Sequence, residues 1–356
     1  MHDNRVSGNT ITDSGEDGVK IEGSYNHIAN NQITDNGNFG IHSTEAGNTI
    51  SGNTISSNGK GSGKDGIYSE KSSQTAPTTI SGNTIEGNGK YGIHAKQDYN
   101  HITGNTLSNS GDHNVYSEGS YNHISTNTLK NTQPIGKDAI HIKGDNNIIS
   151  DNTIDNIQQD GIYINGKQNK IFGSSPYTQS ISNCAQPHQA GIRLSTGNSP
   201  LQSKDGNEVY NNLLEKNFDG IHVLLSSSNK IHGNKIIRHH RGISLRDSAL
   251  NNIYGNIVKW NKAFGILIQQ VLDCRWKSES NSVHNNTIAE CLISGIFLEN
   301  FNLFKEQNLN NIYENHISLC GIGINSLRDN ASSIHDNTIE AKAGLSRNTG
   351  VHTTIQ

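Results

Sequence analysis

The residues best equipped for chemistry in this sequence return at a fixed interval. DAIHIK, residues 138–143, is followed 22 residues later by DGIYIN, so Asp138 matches Asp160 and His141 gives way to Tyr163. The same position along the chain reads Lys20, His42, Tyr68, His94, Tyr116, His141, Tyr163, Arg193, His222 and Ser244. Three residues earlier stand Asp17, Asp65, Asp138, Asp160, Asp219 and Arg241, and two residues later Glu22, Glu70, Lys96, Glu118, Lys143 and Arg246. Imidazole titrates near neutrality, phenol and carboxyl groups pass protons, and Lys or Arg pairs with a carboxylate. That set suits proton chemistry beside a carboxylate. A cation neutralises a uronate, a base takes its C5 proton, and an acid either protonates the leaving oxygen in β-elimination or returns a proton from the other side in C5-epimerisation. The candidate catalytic residues are His141, Tyr163, Arg193, His222 and Asp160. The candidate substrate-binding residues are His94, Lys96, Tyr116, Asp138, Lys143, Asp219, His240, Arg241 and Arg246.

Some element must present one position of each repeat on a common face. NHIANNQITDNGNFGIHS (26–43), NHITGNTLSNSGDHNVYS (100–117), NKIHGNKIIRHHRGISL (229–245) and NNIYENHISLCGIGIN (310–325) are variants of one unit, and about 14 such units start between residues 4 and 330. Each unit holds three short segments alternating apolar and polar residues, which is strand periodicity and not helix periodicity. Three strands and three turns in about 22 residues make one coil of a parallel β-helix, with coils stacked about 4.8 Å apart. The predicted fold class is therefore all-β, a single-stranded right-handed parallel β-helix solenoid of about 14 coils, read as one domain over 1–356 and as part of a longer protein.

The repeat explains an unusual composition. Of 356 residues only 31% are hydrophobic and 17% charged, too few apolar residues for an ordinary core and too few charges for disorder. A narrow stack of Ile, Val and Leu fills a solenoid cheaply. The Asn of the central turn (Asn31, Asn53, Asn83, Asn105, Asn127, Asn152, Asn212, Asn234, Asn256, Asn286, Asn315, Asn337) suits an amide ladder running from coil to coil, and Asn also tolerates left-handed turn geometry. A glycine column (Gly18, Gly40, Gly66, Gly92, Gly161, Gly220) is assigned to the bend into the third strand. Cys291 and Cys320 share one column and read as stacked small residues, and the four Cys lack metal-site spacing. A net charge of −4 does not indicate a nucleic-acid footprint, and no apolar run is long enough to span a membrane.

On those repeats the sequence resembles the right-handed parallel β-helix superfamily, shared by pectin and alginate lyases, mannuronan C5-epimerases and NosD-like periplasmic proteins. The resemblance covers nearly the whole chain. It implies fold far more than activity, because such repeats serve many functions. Alginate epimerases carry Tyr-Gly-x-Asp-Pro-His-Asp at this strand. Here YGIHAK keeps Tyr91 and Gly92 but has His94 in place of the Asp and lacks the rest, so no catalytic role transfers.

Exposed strand positions favour Tyr and other large side chains, so packing accounts for any one of them. Their concentration in one column points to a groove for an extended, anionic polysaccharide, with aromatic faces stacking on sugar rings and polar edges taking hydroxyls and carboxylates. Insertions near 59–77, 172–190, 196–206, 270–280 and 300–309 are expected as walls of that groove. RHHRGISLRD (238–247) is a second cationic candidate, or else a turn with solvated charges. Asp138 and Asp160 on adjacent coils also fit a retaining glycosidase pair or a Ca2+ site; no cofactor is required by the favoured chemistry. A further alternative is a non-catalytic module, either a carbohydrate-binding surface rod or a NosD-like metal-handling protein, although a single Met argues against Met-rich copper ligation. An ice-binding face would want a flat Thr array instead. The expected setting is secreted, periplasmic or cell-surface, with oligomeric partners or flanking domains over the open ends of the solenoid.

Overall fold

The structure is a computed structural model that describes residues 3–131, 137–184, 186–195, 206–271, 280–300, 310–327, 332–341 and 343–348. Every regular element among the described residues is a β-strand, and nearly all pairing is parallel between equivalent strands of successive coils. The chain divides into two units, Met1–Lys170 and Ile171–Gln356. Each carries seven coils of three strands, which together match the predicted count.

A representative coil of the first unit runs through His27–Ala29, Gln32–Thr34 and Ile41–Ser43. Strands of three residues suffice because each buries one or two side chains and leaves the alternate one outside. Successive coils are in register: Ile28 pairs with Ile50, Ile50 with Ile80, Ile80 with Ile102 and Ile102 with Ile124, and all of these are at most 1% exposed. The second unit repeats the plan with Val209, Ile231, Ile253, Val283 and Ile312 in the corresponding column, all fully buried. A third of the composition being apolar is enough, since every such residue stacks on its equivalent.

The central Asn column is buried as expected. Asn105 Nδ2 donates to Ile80 O at 2.9 Å and Asn127 Oδ1 at 3.0 Å, while its own Oδ1 accepts from Asn83 N at 2.9 Å. Two features differ from the sequence reading. The left-handed conformation falls on the residue before the ladder Asn, at Asn30, Gly52, Gly104 and Asp151 (φ 56°, 64°, 64° and 56°), and not on the ladder Asn itself. The turn needs one residue that swings outward and one that reaches inward, and the side chain that hydrogen-bonds is the inward one.

There are also three ladders, one at each corner. Asn26, Asn48, Asn100 and Asn122 line a second, and Asn36, Asn58 and Asn88 a third. In the second unit the third ladder reads Asn217, His239, Asn261, Cys291 and Cys320. His239 N donates to Asn261 Oδ1 at 3.0 Å, and Asn261 Nδ2 meets Cys291 Sγ at 3.9 Å. The two cysteines are free and buried, as expected of stacked small residues.

The glycine column serves close stacking and not the bend. A Cβ at Gly66 would lie 2.7 Å from Gly92 O, a backbone atom that cannot yield. The column carries Ala139 at one coil, and that residue is fully buried.

Candidate functional site

In the first unit the third strand of each coil builds the outward column. Tyr116 pairs with His141 and His141 with Tyr163, on Val115–Ser117, Ile140–Ile142 and Ile162–Ile164. The flanking residues, Ile on both sides in the last two strands, are buried and lock the strands, so the middle residue faces out. Ring centroids are 4.9 Å apart for Tyr68 and His94, 5.0 Å for His94 and Tyr116, 5.4 Å for Tyr116 and His141, and 4.6 Å for His141 and Tyr163. Only His141 and Tyr163 are stacked, at 21°; the other three pairs are tilted by 41–57°.

The three histidines of this column differ in their partners. His42 has Asp17 Oδ2 at 3.2 Å from Nδ1 and Glu70 Oε2 at 3.4 Å from Nε2. His94 has Asp65 Oδ2 at 3.1 Å from Nδ1 and Glu118 Oε1 at 2.9 Å from Nε2. His141 has Asp138 Oδ2 at 2.9 Å from Nδ1, and its Nε2 has no hydrogen-bond partner among the described residues. A buried carboxylate therefore orients this ring and leaves one nitrogen available beside the Tyr163 ring.

Asp138 and Asp160 are each 4% exposed. Asp138 Oδ1 accepts the backbone N–H of Asp160 at 3.0 Å, and Asp138 N donates to His113 Nδ1 at 3.1 Å. Asp138 thus works as an orienting and capping group inside the corner, a poor arrangement for a retaining pair that must face a sugar. Cationic groups lie alongside: Lys143 sits 5.0 Å over the Tyr116 ring, and Lys96 is 3.8 Å from Glu70. A hydrogen bond to Tyr116 raises the Lys143 pKa, keeping it charged.

His113, Asp138 and His141 bring potential ligand atoms within 4.8 Å of one another. Two imidazoles and one carboxylate make a donor set suited to a borderline divalent metal. Burial pushes His113 down to about 4, which keeps its ring neutral and a competent donor.

The remaining candidates belong to the second unit. Arg193 pairs in register with His222, and His222 with Ser244, on Ala190–Ser195, Asp219–Leu224 and Arg241–Arg246. Asp219 is fully buried and held by Arg241 through Nε at 2.6 Å and Nη2 at 2.7 Å. His222 is 7% exposed, and neither ring nitrogen has a hydrogen-bond partner among the described residues. Burial, then the charges of Arg193, Arg241 and Arg246, push it down to about 3.

RHHRGISLRD divides in the structure. Arg238 pairs with Glu215 at 2.8 Å, His239 is fully buried, exposed His240 stacks on Phe218 at 4.8 Å, and Arg241 is committed to Asp219. Of the proposed walls, 59–77 is described: Ser62 Oγ donates to Gly37 O at 2.6 Å and Lys71 pairs with Glu45 at 2.7 Å. The segment 172–190 is described except for residue 185, and nearly all of 196–206, 270–280 and 300–309 lies outside the described residues.

One ladder escaped the sequence reading. Phe172, Tyr210, His232, Tyr254, His284, Tyr313 and His335 stack on the first strand of each coil in the second unit, with interplanar angles of 2–10° and spacings of 4.8–5.4 Å. Its signal was present as the aromatic fourth residue in NKIHGN and NNIYEN, on the first strand of the coil and not the third strand that was followed.

Fold and corner ladders define a right-handed parallel β-helix protein. Residues 138–272 match the family described as right handed beta helix region, and residues 1–140 match the periplasmic copper-binding protein family NosD. Comparison with curated proteins gives no match. Among solved structures the chain is similar to the Dettilon tailspike protein (13% identity, TM-score 0.47, covering 96% of this chain and 60% of that one). It is also similar to the A-module of a mannuronan C-5 epimerase from Azotobacter vinelandii (13% identity, TM-score 0.45, covering 97% and 92%). A mutant of the periplasmic alginate epimerase AlgG is a third such structure (15% identity, TM-score 0.47, covering 90% and 76%). The chain thus spans 60% of the tailspike's length, and at these identities the likenesses concern fold alone.

Proposed function

We propose that the chain acts on an extended, anionic polysaccharide along the third-sheet face of its first unit, by β-elimination or C5-epimerisation. The observation that carries this reading is the singular state of His141. Oriented by the buried Asp138 carboxylate at 2.9 Å, it alone of the three column histidines has an Nε2 without a hydrogen-bond partner among the described residues. It stands 4.6 Å from the Tyr163 ring, so an imidazole and a phenol, two groups that exchange protons with carbon and oxygen, meet on adjacent coils. Lys143 is two residues from His141 and is held in its charged form by Tyr116, as neutralisation of a uronate carboxylate requires. The coil spacing of about 4.8 Å also approximates the advance of one sugar residue, so a linear chain can meet equivalent groups repeatedly.

In this scheme His141 Nε2 takes the proton on C5 while Asp138 holds the ring. Tyr163 then gives a proton either to the leaving oxygen or to the opposite face of C5. Such a substrate places the protein in a secreted, periplasmic or cell-surface setting. The test is a screen of uronate polysaccharides, with ultraviolet absorbance reporting unsaturated ends and NMR reporting inverted C5 centres. Product of either kind from one polymer supports the reading, and inertness toward all of them removes it.

A second reading has its own observation, the clustering of His113, Asp138 and His141 within 4.8 Å. Those residues would hold a borderline divalent cation, Cu2+ or Zn2+, through nitrogen and oxygen donors. A bound cation would supply Lewis acidity there and would take His141 out of proton transfer, so the two readings separate by experiment.

A further inference from the structure

Cys291 and Cys320 of the second unit interrupt a ladder that amides fill elsewhere. In the first unit the same corner carries Asn36, Asn58 and Asn88, joined side chain to side chain. In the second, Asn261 Nδ2 reaches Cys291 Sγ at 3.9 Å, and two thiols follow on successive coils. Their register is fixed by the backbone. Ala289 pairs with Ser318, two residues before each cysteine, and Gly321 N donates to Cys291 O at 3.1 Å. Adjacent coils lie about 4.8 Å apart, inside the roughly 4.4–6.8 Å that a disulfide spans between Cα atoms. Both thiols are free and only 1% exposed. Cys291 Sγ donates to Ala289 O at 3.6 Å and Cys320 Sγ to Ser318 O at 3.3 Å.

Both cysteines line one cavity of about 480 Å³, within the size range of small-molecule sites. Trp260, Leu292 and Leu319, all exposed, line it too, so it opens at the surface. We propose that Cys291 and Cys320 are a vicinal dithiol that a small-molecule disulfide, entering this cavity, oxidises to a disulfide between coils. Cys320 is the attacking group. When it ionises, the Cys291 thiol turns from Ala289 O to the thiolate. That hydrogen bond lowers the Cys320 pKa and raises that of Cys291. The Cys320 thiolate displaces one sulfur of the reagent R–S–S–R, releasing RS⁻ and leaving a mixed disulfide. Cys291 then loses its proton, and its sulfur attacks Cys320 Sγ and expels the second RS⁻. Two protein thiols are oxidised and one disulfide is reduced to two thiols, so the electrons balance. The product ties the coil that ends in Ser294–Asn300 to the coil that ends in Ile322–Leu327. The inference does not rest on the reaction proposed for the first unit.

The experiment treats the folded full chain with hydroxyethyl disulfide, blocks the remaining thiols with N-ethylmaleimide and maps the peptides by mass spectrometry. A linked Cys291–Cys320 peptide is expected, and dithiothreitol should return both to free thiols. Cys291→Ser should stop at the mixed disulfide on Cys320, because the resolving sulfur is gone. Cys320→Ser should leave Cys291 labelled at least about tenfold more slowly, the change in thiolate fraction for one pKa unit. Should either variant fail to fold, the parent decides alone, since the link must form in the native chain and in preference to any other pairing of the four cysteines. Absence of the link in the folded parent, preferential pairing of either residue with Cys184 or Cys274, or equal labelling rates in the two folded variants each overturns the assignment.

Discussion

Replacing His239 by Asn should alter how stability depends on pH far more than it alters stability at neutrality. His239 stands in an Asn ladder and copies an Asn. Its Nε2–H donates to Leu214 O at 3.0 Å and its Nδ1 accepts from Asn217 N at 3.1 Å, just as Asn58 donates to Ile33 O at 3.0 Å and accepts from Asn36 N at 3.1 Å. Asn therefore restores both bonds and sacrifices only ring volume. The imidazole, fully buried, has its pKa pushed down to about 4 from 6.5, with burial the main cause. A depressed histidine is neutral in the folded chain while the unfolded chain already binds its proton. Its contribution is present above pH 6.5 and is lost as pH falls toward 4. At pH 4.5 that loss amounts to roughly 2–3 kcal/mol, from about 1.4 kcal/mol per pH unit. Urea midpoints measured from pH 7.5 to 4.5 should show His239→Asn within about 1 kcal/mol of the parent at the upper end, the range of a tolerated core change. The variant should gain on the parent by ~2–3 kcal/mol at the lower end. Parallel pH profiles for the two proteins would refute the neutral, ladder-bonded state assigned to His239.

Other outcomes follow from the same geometry. Asn105→Ala strands Ile80 O and the amide of Asn83, and should cost about 2–4 kcal/mol in chemical denaturation, since two buried groups lose partners. Arg241→Gln leaves Asp219 buried without its ion pair and should cost about 3–5 kcal/mol at pH 7. That penalty should shrink as pH falls, because burial already raises the Asp219 pKa and a protonated carboxyl needs no cation. Zn2+ should bind the first unit once by calorimetry, lose affinity in His113→Asn, and suppress any turnover because His141 is among the ligands. Zn2+ that binds but leaves turnover untouched would rule out His141 as the base.

Much of the fold was legible because the repeat forces every coil to the same solution. The 22-residue step, the Ile columns and the Asn31-to-Asn337 series are local patterns read directly along the chain. The other two Asn ladders were less visible because substitutions interrupt them, Thr78 in one, His239 and Cys291 in another. The turn conformation was placed one residue late, since Asn30 and Asn31 look alike in sequence while only the first adopts φ 56°. Most members of the column in the first unit lie at least partly at the surface while His222 and Ser244 of the second are buried, and the chemistry of the column depends on reach. His42, His94 and His141 are indistinguishable as letters, and only the positions of Glu70 and Glu118 separate two bridged rings from one with an open nitrogen. Likewise Asp138 and Asp160 read as a catalytic pair until the backbone N–H that Asp138 caps is seen.

Whether the first unit transfers protons is decided most directly by Tyr163→Phe on a polymer that the parent protein is shown to convert. Only a hydroxyl is removed from a ring packed on His141, so folding and polymer binding should remain as in the parent. Turnover, followed as unsaturated or inverted product, should fall by about 10²-fold or more, the usual scale of acid–base assistance. Full turnover in Tyr163→Phe, with binding also unchanged, would show that the His141–Tyr163 pair is a packing ladder and not the reacting centre.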